Sequence, residues 1–94
     1  ITNAKFEKSA LCKIAGMAHD GYARSIRPVH TTADGDSIYA VSTGEILADQ
    51  DLVGTLAAEV MSEAIINAAK SAESAYGYPG YREIINDLAD TKTE

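Results

Sequence analysis

Ninety-four residues, 46% hydrophobic and 23% charged, suit one small globular unit rather than a disordered chain, and one that would bury only somewhat over half of its unfolded surface. Fourteen acidic residues against eight basic ones give a formal charge of −6, which repels phosphate backbones and argues against nucleic acid as a partner. The basic residues are scattered, so no lipid-binding patch forms, and the lone Cys12 allows no internal disulfide.

The opening "ITNA" reads as the tail of a strand, with Asn3 placed to cap a helix. A chain that starts this way is expected to be part of something longer. From Ala4 to about Ile26 the apolar residues Phe6, Ala10, Ile14, Ala18 and Tyr22 recur at four-residue steps, which predicts one helix. Cys12 falls within that pattern and is expected to be a small core residue. Gly16 and Gly21 weaken the helix and are expected to admit a neighbouring element. Pro28 closes it by disfavouring helical geometry at Arg27.

Val29 to Gly35 reads as a loop, and "SIYAVS" (Ser37–Ser42) as a strand apolar on both faces, closed by Gly44. Asp49 and Asp51 can cap a long helix over about Leu52–Ala75, whose polar stripe is Glu59, Glu63, Asn67, Lys70 and Ser74. "YGYPGY" breaks the chain, Pro79 suits a first helical turn, and Ile84, Ile85 and Leu88 mark a short final helix before a polar "DTKTE" tail. The expected class is therefore α/β: one or two strands, two long helices and a short third. Residues 1–94 form a single fragment whose apolar faces need partners this chain does not supply. The longest apolar run falls short of a bilayer span, and Lys5, Glu7 and Lys8 interrupt any signal-like start. No membrane partner is expected, and the absence of disulfides favours a reducing, cytoplasmic setting.

Asp34-Gly35-Asp36 is the densest candidate for chemistry. Such a triplet commonly forms a turn, because Asp bonds nearby backbone and Gly accepts positive φ. The same triplet would also serve as a carboxylate pair at the mouth of a strand. His30 could act as a base, although no G-x-S-x-G accompanies it, and a helix-cap or loop hydrogen-bonding role is the simpler reading. His19 reads as a half-exposed or packed helical residue. Neither histidine has metal-ligand spacing, so no metal or cofactor is expected. Tyr76, Tyr78 and Tyr81 read as packing at a helix junction or an oligomer contact.

Three stretches, "MAHDGYARSIRPVHT", "DGDSIYAVSTG" and "GYPGYR", closely resemble the C-terminal part of the DmpA-type aminopeptidases, peptidase family S58, which includes β-peptidyl aminopeptidases and nylon-oligomer hydrolase. The resemblance implies part of an α/β/β/α sandwich of the DmpA and ornithine acetyltransferase-like type. It implies a precursor that cuts itself, so that a Ser or Thr becomes the N-terminus of the smaller chain and attacks amide bonds of small peptides or amino-acid amides. That nucleophile would stand a handful of residues before Ile1, and Thr2 matches the end of its strand rather than its catalytic start. Asp34 and Asp36 match the family's catalytic support. The partners so implied are the N-terminal portion of the same precursor, further copies in a homo-oligomer, and a peptide or amide substrate. A glutamate N-acetyltransferase of the same fold, and a noncatalytic assembly module in which the triplet is a mere turn, are the competing readings.

Overall fold

In the computed structural model, which describes residues 1–93, the order is β1 (Thr2–Ala4), α1 (Lys8–Ala18), α2 (Asp20–Ser25), β2 (Ser42–Ile46), α3 (Gln50–Ser71) and α4 (Tyr81–Thr93). This is a small α/β architecture with a two-stranded parallel sheet. The chain divides into two compact units, Ile1–Glu63 and the residues from Ala64 onward, with α3 running through the division.

Within the first unit, β1 and β2 pair in parallel, Thr2 opposite Ser42 and Ala4 opposite Ile46. Two steps along β1 thus match four along β2, so β2 bulges between them. Gly44, at φ +73°, takes up the excess in a left-handed conformation that a side chain would disfavour. Ser42 organises the bulge: its hydroxyl donates to the Ala4 carbonyl and accepts the Gly44 N–H at 3.1 Å. The expected strand lay five residues earlier. Residues 37–41 belong to no strand among the described residues, and the first backbone bond to β1 is the one the Val41 carbonyl accepts from Thr2. Gly44 accordingly lies inside the strand and does not close it.

The single helix expected over Ala4–Ile26 is two helices. Asn3 belongs to β1, α1 starts after Glu7, and His19 separates α1 from α2. Apolar periodicity continues across His19, which is why the junction leaves no trace in the pattern. Gly21 does admit a neighbour: a Cβ there would lie 2.6 Å from the Ala58 carbonyl oxygen and 2.7 Å from Met61 Cβ of α3. Gly16 faces open space instead. Met17 packs where a Cβ on Gly54 would stand. These contacts seat the small-residue side of α3 against α1 and α2, and the buried apolar side chains among the described residues are Ala4, Ile14, Ala18 and Ala58. Cys12 is exposed rather than in the core, because it projects from the side of α1 opposite Ile14 and Ala18.

Asp49 caps α3 as its sequence position suggests, accepting the Leu52 N–H at 3.0 Å. By length and composition alone, the 22 residues of α3 are long and apolar enough to cross a membrane. Glu59 and Glu63 stand near its middle, where a spanning helix tolerates charge poorly. Gly54 and Ala58 are its buried residues, set against Met17 and Gly21.

In the second unit, a two-residue hairpin turns at Tyr76-Gly77, both at positive φ, with Ala75 and Tyr78 exchanging backbone bonds of 3.0 and 2.9 Å. Tyr76 and Tyr78 are 98% and 78% exposed and do not pack the helix junction, whereas Tyr81, at the start of α4, is more than half covered. That junction is held by Gly80, whose missing Cβ would strike the Ala72 carbonyl oxygen at 2.5 Å. The Gly80 N–H donates to Ser74 Oγ at 2.8 Å, and Ser74 Oγ donates to Glu83 Oε2 at 2.6 Å. Pro79 precedes α4 rather than opening it, and the helix continues through Thr93 where a polar tail was expected, with Glu94 outside the described residues.

Candidate active site

The loop between α2 and β2 carries Asp34-Gly35-Asp36. Asp34 closes a four-residue turn with Thr31: the Asp34 N–H donates to the Thr31 carbonyl at 3.0 Å, and the Thr31 N–H donates to Asp34 Oδ2 at 3.0 Å. Reciprocal bonding of this kind holds an Asp side chain in one rotamer against its own backbone. Asp36 is exposed and has no hydrogen bond among the described residues, and a Cβ on Gly35 would meet nothing within 4 Å. The triplet therefore presents two exposed carboxylates, Asp34 fixed by the turn and Asp36 open to whatever lies beside it. From there the backbone runs through 37–41 into β2, whose pairing begins with the Thr2 N–H donating to the Val41 carbonyl at 2.9 Å.

Beside this turn is a cluster that sequence reasoning did not join together. His19, Tyr22 and His30 bring three rings together, with centroids 5.4 Å (His19–Tyr22), 5.7 Å (His19–His30) and 6.4 Å (Tyr22–His30) apart, and His30 meets both neighbours edge-on. Such aromatic pairs are worth about 0.5–1.5 kcal/mol beyond the area they bury. His30 sits at φ +58°, a left-handed conformation uncommon outside Gly, Asn, Asp and His. The hydrogen-bonding role expected of His30 is replaced by ring packing. His19 is half-buried as expected, and its Nδ1 is sealed from solvent without a hydrogen-bond partner. The three-residue step from His19 to Tyr22 across a helix start was the available signal, but nothing local ties His30 to it.

No group of three or more His, Cys, Asp or Glu side chains gathers at metal-binding distance among the described residues. A shallow hollow of about 380 Å³ lies wholly within the second unit, lined by Lys70, Ser74, Gly80, Arg82 and Glu83 among others. It contains neither aspartate of the triplet.

The model of Peptidase family S58 matches residues 1–83. The chain belongs to this peptidase family. An uncharacterized aminopeptidase of Mycobacterium leprae (strain TN) is 36% identical over 95 residues, covering 85% of this chain and 26% of that protein. An uncharacterized aminopeptidase of Mycobacterium tuberculosis (strain H37Rv) is 32% identical over 97 residues, covering 87% and 28%. A 6-aminohexanoate-oligomer endohydrolase of Kocuria sp. (strain KY2) is 32% identical over 83 residues, covering 74% and 23%. The chain thus spans about a quarter of the length of these curated S58 relatives. No solved structure matches it.

Proposed function

We propose that this S58 chain is the C-terminal part of a self-processing aminopeptidase or amidohydrolase, in which a Ser or Thr upstream of Ile1 is the nucleophile and Asp34 and Asp36 support it. The carrying observation is the strand register. Thr2 lies opposite Ser42 in a parallel pair, and Asp36 and Asp34 stand six and eight residues before Ser42. If β1 extends upstream and the segment after the turn pairs with it in the same register, Asp36 comes beside the sixth residue before Thr2, with Asp34 in the turn just ahead of it. That is the stretch where the family resemblance puts the nucleophile.

The chemistry suits the arrangement. A hydroxyl is a weak nucleophile and needs a base with an orienting group. Self-cleavage before the Ser or Thr frees an α-amino group with a pKa of about 8, able to take the hydroxyl proton near neutral pH. Carboxylates beside it would orient the ammonium and stabilise the positive charge it gains. The relatives' names, aminopeptidase and oligomer endohydrolase, both describe amide hydrolysis and support an amide substrate.

The Thr31–Asp34 bonds favour a second reading, in which the triplet is a turn with no chemical role. Asp36→Asn in the full-length protein separates the two. Normal processing with full turnover of an amino-acyl amide leaves only the turn. A processed but slow enzyme supports the catalytic reading, and an uncut precursor assigns Asp36 to self-cleavage.

A further inference from the structure

We infer that His30 is a positioning residue: its ring, held edge-on against His19 and Tyr22, fixes the Thr31–Asp34 turn and so aims the Asp34-Gly35-Asp36 carboxylates. The catalytic part of this inference rests on the function proposed above, while the anchoring part does not. His30 directly precedes Thr31, whose N–H and carbonyl make both bonds of the turn. Its left-handed backbone is a conformation that surrounding contacts must stabilise. Ring contacts at 5.7 Å to His19 and 6.4 Å to Tyr22 are the contacts present. Both partner rings stand at the start of α2, next to Gly21, which has no room for a side chain beneath Ala58 and Met61. The exposed loop is thereby tied at one point to a helix that is itself seated on α3. Beyond the turn, residues 35–40 make no backbone hydrogen bond among the described residues until Val41 meets Thr2, and on the upstream side the tie next to the turn is the His30 ring contact.

Ring and backbone make opposite demands, which allows a sharp test. Asn tolerates the left-handed conformation but lacks the ring; Phe keeps a ring but tolerates that conformation less well. In the full-length protein, His30→Asn should speed hydrogen exchange at the Thr31 and Asp34 amides about tenfold, because an amide bond in an untied loop opens more often. It should also lower kcat on an amino-acyl amide about tenfold with KM changed less than about twofold, as expected when a supporting group is displaced by a fraction of an ångström. His30→Phe should restore both quantities to within about threefold of wild type, the ring contact being retained. The reverse order, with Asn near wild type and Phe impaired, overturns the inference, because backbone conformation alone would then matter. Equal loss of kcat in both variants with unchanged exchange also overturns it, since the imidazole would then act chemically. Should Asp34→Asn and Asp36→Asn prove silent, the proposed function fails, and the exchange rates still decide whether His30 holds the turn.

Discussion

Ser25 Oγ lies 2.6 Å from Ser62 Oγ and 3.2 Å from the Ser62 carbonyl oxygen, joining the last turn of α2 to α3 across a sequence separation of 37 residues. Both side chains are half-buried, so neither can recover full hydration if its partner is lost. Ser25→Ala and Ser62→Ala should each lower the stability of the full-length protein by about 0.5–1.5 kcal/mol, with the double variant costing less than the sum. Denaturant midpoints of the three variants check this, and strict additivity would show that the pair is not coupled.

Three glycines should respond differently to a methyl group. At Gly21 the new atom meets backbone, the Ala58 carbonyl, which cannot swing away. Gly21→Ala should cost about 1–3 kcal/mol by overpacking, despite the gain in helix propensity. At Gly54 the obstacle is the end of the Met17 side chain, which can adopt another rotamer, so Gly54→Ala should cost less. Gly16→Ala meets open space and should stabilise by up to about 1 kcal/mol. Thermal unfolding of the series gives the order Gly21, Gly54, Gly16 from most to least damaging.

Gly44 should be intolerant for a different reason, its backbone rather than its surroundings. Any β-branched residue at φ +73° is strained, and the bulge that Ser42 organises would have to reopen. Gly44→Val should cost about 1–3 kcal/mol, and Gly44→Asn less, because Asn enters the left-handed region more readily. Comparison of their unfolding midpoints with that of wild type tests the ranking.

The two carboxylates should differ in how their loss is felt. Asp36→Asn in the full-length protein should reduce turnover about 10² or more while leaving the fold intact, since the side chain has no partner to lose among the described residues. Asp34→Asn keeps an amide oxygen able to accept the Thr31 N–H, so the turn should persist while the charge is lost. Asp34→Ala loses both. Steady-state rates together with proton spectra of the Thr31 amide distinguish loss of charge from loss of the turn.

As an isolated chain, residues 1–94 should self-associate. Leu52, Leu56 and Val60, spaced four apart on α3, are 55%, 48% and 63% exposed, a stripe that water disfavours. Sedimentation at increasing concentration should show mass growth, whereas a monomer with cooperative unfolding would refute it.

Helices were read from this sequence more reliably than strands, for a physical reason. The long helix was expected over Leu52–Ala75 and found over Gln50–Ser71, because periodic apolar residues and the Asp49 cap are local signals. The strand expected at Ser37–Ser42 is found at Ser42–Ile46, where it pairs with β1, because a strand is defined by its neighbour and not by its own sequence alone. The helix break at His19 left no trace in the apolar pattern, which continues across it, whereas the exposure of Cys12 follows from its place on the side of α1 opposite Ile14 and Ala18. Within the candidate site, Asp34 and Asp36 stood out by composition and resemblance, whereas His30 emerged only when the fold brought it to His19 across eleven residues.

The parallel pairing of Thr2 with Ser42 also bears on how the protein acquires its shape. Parallel strands cannot be joined by a tight turn; here α1, α2 and the loop through Asp36 must all be traversed before the two edges meet. Closing so long a loop carries an entropic cost that local helix formation does not, and it must be met before the sheet contributes any bonds. The helices should therefore nucleate first, with β1–β2 docking among the last steps. The stretch leading from Asp34 to β2 would then be aligned with its neighbouring strand only at the end of folding, which delays whatever reaction depends on that alignment until the remainder of the unit is in place.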